Sequence, residues 1–379
     1  MKILFTGGVT GGHFYPIIAV AQAVREHAKE RRILPPLLYF MAPTKYNPRA
    51  LFDNELEFIS IPAGKMRRYF SLLNFIDILK TAFGCIMAIF KIYMLYPDVV
   101  FGKGGYGSFP ALVAARMLRI PVIIHESDSK PGRVNAWASR FARKIALSYP
   151  DAARYFGKKV DKDRIAYTGN PVRKEIVQPL LNGAAEFLGL EIGVPVIVIL
   201  GGSQGAAAVN DVILQALPEL LGRFQVIHQT GRANIEEIRS TTSVILKDDP
   251  HASRYHPFDY LNELTLRMSA GVAEIIISRA GSTIFEIAAW GVPSIIIPLP
   301  SSVSHDQTTN ALTYAQSGAA SIIEENNLSA HILLEEINRI HDNPAISAKM
   351  KDRAKAFARS DSADVLADAI LDIALEHER

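Results

Sequence analysis

The chain has 379 residues, too many for one ordinary domain and enough for two cores of roughly 150 to 200 residues each. Hydrophobic residues at 49% against 21% charged exclude a largely disordered chain. A net charge of +3, with no arginine stripe interleaved with aromatics, argues against a nucleic-acid partner, and the single cysteine, Cys85, excludes an internal disulfide and a cysteine-based zinc site.

Met1-Lys-Ile-Leu enters a strand at once with no charged leader before it, so a chain kept in the cytoplasm is expected. Short Val/Ile-rich runs then alternate with helical patterns, the signature of βαβ units around parallel sheets. Residues 3–5, 37–41, 99–101 and 122–125 read as strands of a first half, and 196–200, 226–228, 275–278 and 294–298 as strands of a second. The Pro- and Gly-bearing stretch 169–190 reads as the hinge, giving domains 1–168 and 169–379. The halves echo each other: residues 2–8 correspond to 198–203, and 100–106 to 277–281. Each half is therefore an α/β, doubly wound sheet whose ligands are expected beyond the carboxyl ends of the strands, in a cleft if the two sheets face each other.

Gly7-Gly-Val-Thr-Gly-Gly-His13 follows the first strand. The spacing Gly7-x4-Gly12 is that of a nucleoside-triphosphate loop, but His13-Phe14 stand where Lys-Ser/Thr are needed, and Val9 breaks the dinucleotide fingerprint. What remains is a helix N-terminus with uncovered N–H groups, suited to an anion or a sugar hydroxyl, with Pro16 in the first turn; a plain strand-to-helix turn is the other reading. His13 beside the positive helix end is biased to its neutral form, a competent base, or else packs under the loop.

In the second half Gly201-Gly-Ser203-Gln204-Gly205 offers a diphosphate the same kind of loop, with Ser203 as a helix cap the alternative. Glu286, one turn inside the helix after Arg279-Ala-Gly281, is placed to accept ribose hydroxyls, yet Thr283-x-x-Glu286 also reads as a capping box. Asp161-Lys-Asp163 lies in a lysine-rich stretch and reads as solvated, so no metal site is expected. Between residues 63 and 96, Lys65, Arg67, Arg68, Lys80 and Lys91 stand against Asp77 alone, a local net of +4, beside a wide apolar helical face that includes Phe75, Leu79 and Phe83. An apolar, basic patch suits an anionic membrane surface, and its charges leave it too interrupted to span; a buried helix with exposed flanks is the alternative.

Together these stretches resemble the MurG family. The resemblance rests on Gly7-Gly-x-Thr-Gly-Gly-His13, Gly102-x-Gly-Gly-Tyr106, His125-Glu126, Pro131-Gly132 with Asn135, Gly169-Asn-Pro-Val-Arg173, Gly201-Gly-Ser-Gln-Gly-Ala206, His228-Gln229 with Gly231, Ser278-Arg-Ala-Gly281, Glu286 and Gln307-x-x-Asn-Ala311, in the family's order. It implies a GT-B fold and inverting transfer of N-acetylglucosamine from UDP-N-acetylglucosamine to undecaprenyl-linked lipid I, giving lipid II, on the cytoplasmic face of the cell membrane, without metal or other cofactor in the site. It further implies that Arg173, Ser203, Gln204, Asn210, Phe258, Glu286, Gln307 and Asn310 bind the donor. Thr10, Gly11, Gly12, Tyr106, Asp128 and Asn135 would bind the acceptor, with His13 as the base. In a GT-B fold the last helix, about 346–377, often packs back on the first domain. His125-Glu-Ser127-Asp128 departs from the family's His-Glu-Gln-Asn, so Asp128 is either a rival base or, as the preferred reading, a solvated loop charge paired with Lys130 or Arg133. Another lipid-directed glycosyltransferase, a UDP-sugar 2-epimerase and a non-catalytic nucleotide-sugar-binding subunit remain open.

Overall fold

Runs of branched aliphatic residues build two sheets whose strand pairs are all parallel. In chain order the first sheet holds β1 (Lys2–Thr6), β2 (Leu37–Ala42), β3 (Leu56–Ser60), β4 (Val99–Gly102), β5 (Val122–Glu126), β6 (Lys144–Leu147) and β7 (Ile165–Tyr167). The second holds β8 (Val196–Leu200), β9 (Gln225–Gln229), β10 (Tyr255–Phe258), β11 (Ala273–Ser278), β12 (Ser294–Ile296) and β13 (Ala320–Ile322). Central strands are buried on both faces, as Val196-Ile-Val-Ile-Leu200 shows, which is why they read as unbroken apolar runs. The strands that the sequence pattern misses are β6, which starts on Lys144, and the four sheet edges: β3 alternates polar with apolar residues, β7 and β13 have three residues each, and β10 carries Pro257.

This computed structural model describes residues 1–65, 73–157, 160–202, 205–300 and 305–378. It divides into one unit of Met1–Arg173 with Arg359–Arg379 and another of Lys174–Ala358. The crossing thus falls at 173/174, not 168/169, because Gly169 and Asn170 accept hydrogen bonds from His125 and Lys103 of the first unit. The helix expected over 346–377 is two: Pro344–Phe357 in the second unit and Ser362–Glu378 in the first. The latter buries Leu366, Ala367, Ile370, Leu371 and Ala374 in the same core as Ile17, Val20 and Val24 of the first helix, Gly11–Glu30. Ion pairs from His27 to Asp364 and Asp368, and from Arg31 to Asp368 and Asp372, rim this contact. Half-exposed pairs contribute at most about 1 kcal/mol each, so the apolar stripe holds the helix.

The sheet orders, β3-β2-β1-β4-β5-β6-β7 and β10-β9-β8-β11-β12-β13, reverse direction between β1 and β4 and between β8 and β11. Parallel open sheets bind ligands at the carboxyl side of such a reversal. Gly7–His13 follows β1 and Gly201–Gly205 follows β8, so the two glycine loops occupy equivalent places.

Candidate functional site

At the first reversal, the loop after β1 leads into the helix Gly11–Glu30 with Thr10 as its N-cap, extended at φ −115° and ψ 159°. His13 is half-buried, and its Nδ1 lies 3.1 Å from Thr10 Oγ1. A Cβ on Gly8 would come within 2.5 Å of that nitrogen, so the histidine sits directly on the glycine turn. Gly105, at φ +76°, closes the other side: a Cβ there would meet Gly8 Cα at 2.9 Å and His13 Cε1 at 3.5 Å. Burial, aided by the positive charge of Lys103, lowers the His13 pKa to about 4. The imidazole is therefore neutral at pH 7 and able to accept a proton.

Below this turn the ends of β4 and β5 carry titratable groups that the sequence-level reading did not place in the site. Lys103, 1% exposed, donates from Nζ to His125 Nδ1 and Ser127 Oγ, each at 2.6 Å, and to Asn170 Oδ1 at 2.8 Å. His125 donates from Nε2 to the Gly169 carbonyl at 2.9 Å, which makes Nδ1 the acceptor for the lysine. Burial and the Lys103 charge push the His125 pKa well down. Glu126 accepts from the Asp128 and Gly132 N–H groups and from Asn135 Nδ2, and burial with the Asp128 charge raises its pKa. A lysine inside a glycine turn after a buried strand was the available signal for Lys103.

Of the proposed acceptor residues, Thr10, Gly11, Gly12 and His13 share the first reversal with Tyr106, which opens a short helical turn after β4. Asn135 is buried, its Nδ2 shared between Glu126 and the His125 carbonyl and its Oδ1 unpartnered, and the amide packs on Gly104, whose Cβ would meet Nδ2 at 2.7 Å. Asp128 is half-buried, and its charge acts on Glu126 and Lys103.

At the second reversal Gly205, at φ +78°, packs so tightly that a Cβ would meet the Thr230 carbonyl at 2.3 Å. Asn210 braces that turn: its Nδ2 donates to the Thr230 carbonyl at 3.0 Å and its Oδ1 lies 3.0 Å from His228 Nε2. Both ends of this buried amide hydrogen-bond within the unit, so Asn210 braces the loop. Ser282, not Thr283, is the N-cap of the helix Thr283–Trp290, which puts half-buried Glu286 in the fourth helical position and out of a capping box. Phe258 ends β10, Gln307 Oε1 accepts from the Leu299 N–H at 3.2 Å, and buried Asn310 reaches the Ala280 carbonyl at 3.3 Å beside the Arg279–Gly281 turn. Ser203 and Gln204 lie outside the described residues. Arg173 is the last residue of the first unit before the crossing, its guanidinium 4.3 Å above the Tyr15 ring in a cation–π contact.

The helix Leu73–Leu95 buries only Gly84, Ala88 and Ile92, with Gly84 set against the Pro62 carbonyl. Phe75, Leu79 and Phe83 are 67%, 56% and 59% exposed, and Ile76, Ile86, Phe90 and Met94 are exposed too, so a buried helix with exposed flanks is not what forms. Expected to be too interrupted to span, the segment is instead one continuous helix of sufficient length and apolarity. Arg67 and Arg68 lie outside the described residues. Asp161 accepts from the Asp163 N–H and caps the turn Lys162–Arg164. Among the described residues no three His, Cys, Asp or Glu side chains are grouped to hold a metal.

Residues 3–147 match the glycosyltransferase family 28 N-terminal domain and residues 196–366 its C-terminal domain. The chain is 35% identical over 370 residues to a UDP-N-acetylglucosamine–N-acetylmuramyl-(pentapeptide) pyrophosphoryl-undecaprenol N-acetylglucosamine transferase of Treponema denticola, covering 94% of this chain and 93% of that one. It is 32% identical to the transferase of the same name from Halothermothrix orenii, with 99% of both chains covered. The crystal structure of Acinetobacter baumannii MurG superposes with a TM-score of 0.72 at 25% identity, over 98% of this chain and 99% of the other. A Neisseria meningitidis UDP-GlcNAc 2-epimerase reaches a TM-score of 0.68 at 16% identity, over 98% of this chain and 100% of the other, a likeness of fold alone. With two doubly wound parallel-sheet units, glycine loops at both reversals and such identity over nearly its whole length, the chain belongs to the MurG family of GT-B glycosyltransferases.

Proposed function

We propose that this enzyme performs its family's reaction, transfer of N-acetylglucosamine from UDP-N-acetylglucosamine to lipid I, by setting an acceptor site at β1/β4 and a donor site at β8/β11. The observation that carries the reading is His13: a neutral imidazole at a helix N-terminus, over a turn open to an anionic diphosphate. The 4-hydroxyl of the N-acetylmuramic acid attacks the anomeric carbon of the donor sugar, the bond to UDP breaks with inversion, and the hydroxyl proton passes to His13 Nε2. For that, Nδ1–H donates to Thr10 Oγ1, a role their 3.1 Å separation allows. Bound acceptor diphosphate places negative charge beside the ring, which raises its pKa towards neutrality when the base is needed. The UDP charge meets N–H groups of the Gly201–Gly205 loop, Glu286 takes the ribose hydroxyls, and Phe258, Gln307 and Asn310 stand around the base and sugar.

The Leu73–Leu95 helix supports attachment to the cytoplasmic face of the cell membrane. Its inner face is committed to the protein core through Ala88 and Ile92, so it lies in the membrane interface and does not cross the bilayer. Anionic phospholipid vesicles should sediment the wild type and release a Phe75→Ser/Phe83→Ser double variant; equal binding would remove this role.

The reaction is tested by UDP release from UDP-N-acetylglucosamine, which should require a lipid I analogue. His13→Ala should lower turnover by roughly 10² to 10⁴ with UDP affinity intact. Near-normal turnover would take the proton from His13 and leave Asp128 as the base to test.

A further inference from the structure

We propose that Lys103 is a positioning residue for the acceptor site: its buried ammonium ties β4, β5 and the Gly169–Asn170 exit together and sets a positive charge beneath the turn that carries His13. The three partners of Nζ, His125 Nδ1, Ser127 Oγ and Asn170 Oδ1, are all acceptors, and they match the three N–H donors that only the ammonium form offers. His125 cannot turn away from this role, because its other nitrogen is committed to the Gly169 carbonyl. The lysine backbone is equally fixed, its N–H donating to the Thr6 carbonyl at the end of β1 at 2.8 Å. An isolated buried cation would cost several kcal/mol, so the surrounding groups must favour it. Burial lowers the Lys103 pKa to about 7, while the charges of Glu126 and Asp128 pull it back up.

The consequence falls on His13. Its ring packs on Gly8 and Gly105, two residues from the lysine, and the Lys103 charge disfavours a second cation there. The titratable groups around the cluster are His13 on the first helix, His125 and Glu126 on β5, Asp128 in the next loop, Tyr106 after β4, and Asp77 of the Leu73–Leu95 helix, whose charge reaches Tyr106. Of these, Lys103 is the one charge acting directly on His13 that keeps it unprotonated. Burial first and this charge second thus hold His13 neutral well below pH 7. The part of this inference that concerns catalysis rests on His13 being the base; the electrostatic part does not.

The test follows the His13 titration by NMR in histidine-labelled wild type and Lys103→Met, together with the pH dependence of kcat/KM. In Lys103→Met the His13 pKa should rise by about 1 pH unit, and the acidic limb of kcat/KM should move up with it while UDP affinity stays constant. A lysine that only filled space would lower stability and activity equally at every pH, so an unmoved His13 titration overturns the proposal. Should Lys103→Met fail to fold, Ser127→Ala carries the test: one of three acceptors is lost, the ammonium is less favoured, and His13 should shift in the same direction by a few tenths of a pH unit, with no shift again overturning it. A shifted titration with an unmoved activity limb would support Lys103 and refute His13 as the base, so the two readings fail separately.

Discussion

The reversals at β1/β4 and at β8/β11 have the same topology and the same glycine turns, yet their chemistry differs. The first gathers His13, Lys103, His125, Glu126 and Asp128, a cluster of groups that shift one another's protonation. At the second, Asn210 between His228 and Thr230 and Asn310 on Ala280 are neutral braces and Arg279 pairs with Glu325, with burial lowering the His228 pKa to about 3 so that it stays uncharged. The contrast suits the proposed division: a site that takes a proton needs tunable charges, whereas one that releases UDP, a good leaving group, needs fixed donors and little titration. One doubly wound unit serves either purpose, because the turn after the central strand supplies the N–H groups and the residues below supply the rest.

Matched glycine substitutions test that contrast most severely. Gly205→Ala forces a side chain into a positive-φ turn and against the Thr230 carbonyl, and should cost the donor turn roughly 2 to 4 kcal/mol. UDP binding, followed by calorimetry, should weaken about 30-fold or more, with the His13 titration unchanged. Gly105→Ala, pressing on Gly8 and His13, should instead lower kcat with UDP affinity intact. If both variants lost UDP binding alike, the division of labour would fail.

A smaller effect sharpens the donor side. Glu286→Ala should raise the KM for UDP-N-acetylglucosamine by about 10- to 100-fold and change kcat little, since ribose contacts are equal in ground and transition states. A fall confined to kcat would place Glu286 among the reacting groups.

The smallest concerns the C-terminal helix. Burial opposes charge on His27, but Asp368 and Asp364 outweigh it and raise the His27 pKa. Such a group stabilises the fold fully below its unfolded pKa, near 6.5, and loses that contribution as pH rises through the raised folded value. Relative to His27→Gln, the wild type should therefore melt about 1 to 2 °C higher at pH 6 than at pH 9. An equal difference at both values would show that the apolar stripe alone holds the helix.

Sequence by itself determined what depends on neighbours along the chain. Buried parallel strands announce themselves as Val/Ile runs, glycine turns by their spacing, and the order of motifs by resemblance to one family, so eight of the strands, both loops and the reaction class were legible. Tertiary structure alone decided which polar groups meet. Lys103 finds Asn170 67 residues away, Asn210 finds His228 and Thr230, Arg173 lies over Tyr15, and the final helix returns to the first unit. It also decided that Phe75, Leu79 and Phe83 face outwards, since an amphipathic period says that two faces differ but not which neighbour covers either. The physical reason is range: periodicity is written within a few residues, whereas the partner of a buried charge is chosen by strand order, which brings distant segments to one end of a sheet.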